Sequence, residues 1–187
     1  MKIINFYKNE KQLIKKSAAG KRDAQRRLFD QYAPTMLGVC RRYVKDIQFA
    51  EDVMINGFVK VFKSLDGFRF EGSFEGWIKR IMIRESISYL RKQQFVVYDG
   101  EVYEETANKE IAMPEVMDTE YLQILIDALP EGYRAVFVLH VVEGYKHNEI
   151  ADLLGITENT SKSQFFKARK RLQEKLRDQN IVGYGTE

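Results

Sequence analysis

Apolar residues recur every three to four positions along most of the chain, a spacing that predicts helices. In the N-terminal half, Leu28, Phe29, Tyr32, Met36, Leu37, Cys40 and Tyr43 form one stripe. Pro34 stands inside it and is expected to kink the segment or to open a new helix at its first turn. A second stripe of Val53, Met54, Phe58, Val61, Phe62 and Leu65 predicts a helix from Phe49 to Leu65. The loop Asp66-Gly67-Phe68-Arg69-Phe70-Glu71-Gly72-Ser73-Phe74 then breaks the period, and Ser73 is a suitable N-cap for another helix. That helix should turn Trp77, Ile78, Ile81, Met82, Ile87 and Leu90 inward and Lys79, Arg80, Arg84, Arg91 and Lys92 outward.

Residues 93–118 hold no sustained period and read as a linker, interrupted by Pro114. Phe95-Val96-Val97-Tyr98 is the longest strand-like run. Helix returns at Thr119 with Tyr121, Leu122, Ile124, Leu125, Ala128 and Leu129. Pro130-Glu131-Gly132 should break it, Arg134 to Glu143 should resume it, and Gly144 should stop it. Glu149 to Leu154 then makes a short apolar-faced helix, Gly155-Ile156-Thr157 a turn, and Glu158 to Leu172 a basic second helix. That is a helix-turn-helix. The expected fold class is all-α: two small helical bundles, 1–92 and 119–187, joined by a flexible linker at 93–118.

Charge sharpens this division. The net charge is +3. Between Gln93 and Glu120, eight acids face Lys109 alone, so this strap carries about −7 and the rest about +10. Two basic blocks around an acidic strap suggest nucleic-acid contact at both ends. Nearly half of the 187 residues are apolar, enough for real cores. The single cysteine, Cys40, allows no internal disulfide and fits a reducing compartment. No run suits a signal peptide or a bilayer span, so a cytoplasmic protein without membrane insertion is expected.

In the helix-turn-helix, Ala151 and Gly155 suit a close helix crossing and a tight turn, and Thr157 can cap the second helix. Asn159, Thr160, Lys162, Ser163 and Gln164 lie at the helix end that enters a major groove. Lys167, Arg169, Lys170 and Arg171 can reach phosphates, which fix register rather than sequence. The plainer reading is a helical hairpin with a solvated basic face, against which spacing, cap and basic helix together favour DNA. In the first half, Phe68, Phe70, Phe74 and Trp77 cluster beside a basic helix face, a combination that suits unpaired bases. Taken alone, aromatics at helical spacing are more often core; Trp77 can be both.

Here the two halves meet a known pattern. Phe49-Ala50-Glu51-Asp52-Val53, Phe58-Val59-Lys60-Val61-Phe62-Lys63-Ser64-Leu65-Asp66-Gly67-Phe68 and Ser73-Phe74-Glu75-Gly76-Trp77-Ile78-Lys79-Arg80-Ile81 resemble region two of bacterial sigma factors. Leu129-Pro130-Glu131-Gly132-Tyr133-Arg134-Ala135-Val136-Phe137, Gly144-Tyr145, Glu149-Ile150-Ala151 and Leu154-Gly155-Ile156 resemble region four. Two such regions with only a linker between are similar to the extracytoplasmic-function (ECF) group. The resemblance implies a sigma factor that directs core RNA polymerase to promoters and assists their melting. It places Glu51, Asp52, Asn56 and Lys60 against the polymerase clamp helices. It assigns Phe70, Phe74, Trp77, Lys79, Arg80, Arg84, Arg91 and Lys92 to the melted minus-ten element. Asn159, Thr160, Lys162, Ser163, Gln164, Lys167, Arg169 and Lys170 would face the minus-thirty-five element, with region four near the polymerase flap. The acidic linker would thread the RNA exit path. Anti-sigma factors are common partners in the family.

The chain departs from the family pattern at Ile55 and Asn56, where Gln and an acid are usual, and at Arg84 and Ser88, where Asn and Asp are usual. Ser161 replaces an apolar residue, and Gln164 an Arg. Ser161 is expected to weaken packing by about 1–2 kcal/mol, with Phe165 or Phe166 compensating. His140, Glu143 and His147 have helical spacing, but Gly144 interrupts their face and no fourth ligand is evident, so no metal is expected. No nucleophile–base pair and no phosphate loop stands out, so no catalytic residue and no cofactor are expected. The rival readings are a stand-alone helix-turn-helix regulator and a module whose basic helices dock an acidic protein.

Overall fold

A computed structural model describes residues 3–93 and 119–178, and every element in them is helical. The chain divides into two compact units, Met1–Tyr89 and Leu90–Glu187. The acidic linker and the Phe95–Tyr98 run lie outside the described residues, apart from Gln93.

The first unit begins with α1 (Ile3–Ala18), which the sequence pattern did not single out. It packs on α2 (Arg22–Tyr43), and α2 packs on α3 (Ile47–Ser64). A 3-10 turn, Leu65–Gly67, leads through the loop to α4 (Phe74–Lys92). Pro34 neither ends nor restarts a helix: α2 runs through it. Pro34 and Asp30 are both exposed, so water can serve the carbonyl that proline leaves without a helical donor. Asp46 caps α3, its carboxylate accepting from the amides of Gln48 at 2.8 Å and Phe49 at 3.2 Å. Leu28, Met36, Cys40 and Tyr43 of α2, Phe58 and Val61 of α3, and Ile78 and Met82 of α4 form the core, none more than 2% exposed. A side chain at Gly57 would collide with the Met82 thioether, so this glycine lets Met82 lie against the α3 backbone. Burial pushes the Cys40 thiol up to about 11, so it behaves as a core group rather than a nucleophile.

The second unit runs α5 (Thr119–Asp127), α6 (Glu131–Phe137), a π-helix (Val138–Val142), α7 (His147–Leu154) and α8 (Glu158–Asp178). Pro130 breaks the chain as expected, but Glu131 and Gly132 already belong to α6. The helix expected from Arg134 to Glu143 widens after Phe137, where the Glu143 amide donates to the Val138 carbonyl at 3.0 Å. Gly144, at φ 76°, ends it in the left-handed region. Arg134 turns inward, 1% exposed, with its guanidinium 4.0 Å from Asp127 and 3.7 Å from Glu131. α7 starts two residues before the expected Glu149, because that side chain accepts from the Lys146 amide at 2.8 Å. Both α6 and α7 pack on α8.

Candidate nucleic-acid interface

Ser73 caps α4 as the sequence suggests: its Oγ accepts from the Gly76 amide at 3.3 Å. The cap brings Phe74 and Trp77 onto one side of the first turns, their rings stacked at 5.7 Å and 22°. Phe68 leans on both, at 5.0 Å and 5.5 Å. Phe74 is only 4% exposed and also meets Tyr32 edge-on at 5.5 Å. It therefore cannot offer a face to a DNA strand; it is the floor beneath Trp77, and its place among strand-contacting residues is corrected. Trp77 is half-buried and Phe70 exposed.

Above this floor opens a cavity of about 400 Å³, lined by Phe68, Arg69, Glu71, Ser73, Trp77 and Arg80, with Gly67, Gly72 and Gly76 contributing backbone. Its chemistry is mixed: an indole face, two guanidinium groups that donate, and one carboxylate that accepts. One unpaired nucleobase matches that set, stacking on the ring while its edge meets the polar groups. Arg84, Arg91 and Lys92 are exposed farther along α4, and Lys79 is half-buried. Arg69 and Glu71 were not singled out in the sequence, though they sit in the glycine-rich loop that was. An alternating charged pattern between aromatics was the available signal.

On α3, Glu51, Asp52, Asn56 and Lys60 are all exposed. Lys60 pairs with the Glu85 carboxylate of α4, so it also ties the two helices together. Ile55 and Val59, 49% and 46% exposed, sit on the same side at helical spacing. The result is an apolar strip edged by acids.

In the second unit, Gly155 at φ 70° makes the left-handed turn and donates its amide to the Ala151 carbonyl at 2.8 Å. Thr157 caps α8, its Oγ1 accepting from the Thr160 amide at 3.0 Å. Asn159, Lys162 and Lys170 are exposed, while Thr160, Ser163, Lys167 and Arg169 are half-buried. Lys162 pairs with Glu158 at 3.0 Å. Lys167 and Arg171 flank the Tyr133 ring at 5.9 Å and 5.6 Å. Gln164 is corrected: at 2% exposed it faces Gly132 of α6, away from any groove. It shares the inner stripe with Ser161, Ala168 and Leu172, spaced as one helix face requires.

Ser161 is wholly buried, and its Oγ lies 2.9 Å from His147 Nδ1. The weakening expected there is thus offset by a hydrogen bond and by Phe165, whose ring meets His140 at 4.7 Å; Phe166, 38% exposed, does not fill the gap. His140 and His147 stack at 4.4 Å, and His140 Nδ1 is 2.8 Å from the Tyr145 carbonyl. Burial lowers the His147 pKa, with the charges of His140 and Lys162 adding to it and Glu158 opposing. Among the described residues no group of three or more His, Cys, Asp or Glu is gathered to hold a metal, and no helix is long and apolar enough to cross a membrane.

Residues 28–96 match the sigma-70 region 2 family, and residues 119–172 match sigma-70 region 4. The ECF RNA polymerase sigma-E factor of Haemophilus influenzae is 27% identical over 177 residues, covering 88% of this chain and 93% of that protein. The Bacillus subtilis ECF sigma factor SigW is 29% identical over 182 residues, covering 90% and 97%. A co-crystal structure of the Bartonella quintana sigma factor RpoE with the anti-sigma factor NepR shares the fold, with TM-score 0.51 and 23% identity over 81% of this chain and 96% of that one. With both regions matched in order, and with relatives that align along nearly their whole length, the chain belongs to the sigma-70 family of RNA polymerase sigma factors, in its ECF group.

Proposed function

We propose that this sigma factor directs core RNA polymerase to its promoters by holding a melted base in the first unit and reading duplex DNA with the second. The observation that carries the reading is the cavity beside Trp77, where a stacking face, Arg69, Arg80 and Glu71 converge. A base drawn out of the minus-ten element would stack there at roughly 1–3 kcal/mol. Phe70 would pack against the bases of that strand, while Lys79, with the outer cations Arg84, Arg91 and Lys92, would hold its backbone. The α3 strip of Glu51, Asp52, Ile55, Asn56, Val59 and Lys60 is proposed to dock on the clamp helices. The exposed N-terminal turns of α8, with Asn159, Thr160, Lys162 and Ser163, would enter the major groove of the minus-thirty-five element. Lys167, Arg169 and Lys170 would meet phosphates.

The match of residues 28–96 to region 2 favours this over a stand-alone helix-turn-helix regulator, which would need no such half. The protein would supply binding and orientation while polymerase supplies the chemistry, and it would work in the cytoplasm. The Bartonella relative was crystallised with an anti-sigma factor. A partner of that kind is part of the proposal and would be sought by co-purification. The principal test is transcription by core polymerase from cognate promoters with and without the protein. A specific transcript that depends on the protein is expected, and none at any promoter would refute the reading.

A further inference from the structure

The region 2 match begins at residue 28, yet two consecutive residues of α1 bear on the strand-capture site, Glu10 through Tyr32 of α2 and Lys11 through Phe70 of the loop. Glu10 accepts a hydrogen bond from the Tyr32 hydroxyl, and Tyr32 supports Phe74, which lies behind Trp77 of the cavity wall. Beside it, Lys11 Nζ stands 5.1 Å from the centre of the Phe70 ring. Phe70 does not itself line the cavity, but its sequence neighbours Arg69 and Glu71 both do. Its backbone is exceptional: at φ 59° it is the one non-glycine residue with positive φ among the described residues. A bulky side chain adopts that conformation only where its surroundings hold it there. Phe68 grips the Phe70 ring edge-on at 4.9 Å, and the Lys11 ammonium lies over its face. The φ of Phe70 fixes the relative aim of the residues on either side, one a donor and one an acceptor.

We propose that Lys11 is a positioning residue for base discrimination: by holding Phe70 in its left-handed conformation, it aims Arg69 and Glu71 at the base in the cavity. The inference rests on the strand-capture reading above. Without the cation, Phe70 relaxes toward ordinary backbone angles, and the two polar groups no longer converge. Stacking on Trp77 survives, so a base is still held but is read less well.

The test uses the full chain with core polymerase and a pool of single-stranded oligonucleotides randomised over a central stretch, with the bound strands sequenced. The wild type should enrich one base at one position. Lys11→Met should lower that enrichment about two- to five-fold, the scale of a cation–π contact at an exposed site. Enrichment at other positions, total DNA bound and affinity for core should stay unchanged. Lys11→Arg, which keeps the cation, should restore the preference. A Lys11→Met protein with undiminished preference overturns the inference, as does equal loss at every position or failure of Lys11→Arg to rescue. A wild type that enriches no base, or whose preference survives Trp77→Ala, overturns the strand-capture reading itself and this inference with it.

Discussion

The Oγ of Ser161 in α8 lies 2.9 Å from Nδ1 of His147 in α7, so the two helices of the helix-turn-helix are joined by a polar bridge. A small polar residue stands where the family usually has an apolar one, and the histidine gives it a partner. Ser161→Ala should destabilise the second unit by about 1 kcal/mol, the usual net worth of one hydrogen bond. The check is faster amide exchange in α7 and α8, with exchange in α1 to α3 unchanged.

The burial of His147 should also make the motif sensitive to acid. Burial, and then His140 and Lys162, hold the His147 pKa below its ordinary 6.5. The unfolded chain therefore takes up a proton at a higher pH than the folded one. Above about 6.5 both forms are neutral and stability does not change; below it the unfolded state gains, and stability falls until the folded imidazole is protonated too. Exchange in α7 and α8 should accelerate as pH falls through this window, and His147→Gln should flatten the response. An unaltered slope in the variant would assign the effect elsewhere.

Trp77→Ala should leave affinity for core polymerase intact and reduce promoter opening about ten-fold, within the range for loss of one base-stacking surface. Trp77→Phe should recover most of it. Permanganate reactivity of unpaired thymines reads the open fraction directly, and equal reactivity in Trp77→Ala would place the captured base somewhere else.

Lys167 and Arg169 lie on the flank of α8, beside Tyr133 and Phe165. Replacing both with Ala should lower the slope of log affinity against log salt by about 2, near one unit for each phosphate no longer neutralised. Gln164→Ala should behave differently: since the side chain is buried against α6, it should lower stability and leave the salt slope unchanged.

Ile55 is 49% exposed, so Ile55→Glu should fold normally. If α3 docks an apolar strip on polymerase, this variant should lose core binding at least ten-fold, a buried charge being costly. Native competition against a second sigma factor measures the loss.

Much of this architecture was legible in the sequence because it rests on local chemistry. Ser73 and Thr157 cap helices by bonds within three residues, and Gly144 and Gly155 take backbone angles that other residues avoid. What escaped depends on contacts across elements. Phe74 and Gln164 fell on stretches whose composition suggested a surface, but the direction each points is set by Tyr32 and by α6, both distant in sequence. The sequence put His140 and His147 at helical spacing but did not foresee their stack: the π-helix and the left-handed Gly144 bring the rings together in a way no straight-helix spacing describes. α1 was missed for want of a recognised stripe, although Lys11 meets Phe70 of the loop and Glu10 meets Tyr32 of α2.

The widened turn at Val138–Val142 has a cost in evolutionary freedom. An extra residue there is absorbed as a bulge, so shortening the segment by one would restore regular winding and turn the bulge residues, His140 among them, while leaving the aim of α7 and α8 little changed. His140 would then lose its stack on His147. Insertions and deletions should be rarer at this turn than in the exposed loops, even though its sequence, Val-Leu-His-Val-Val, looks like ordinary helix filling.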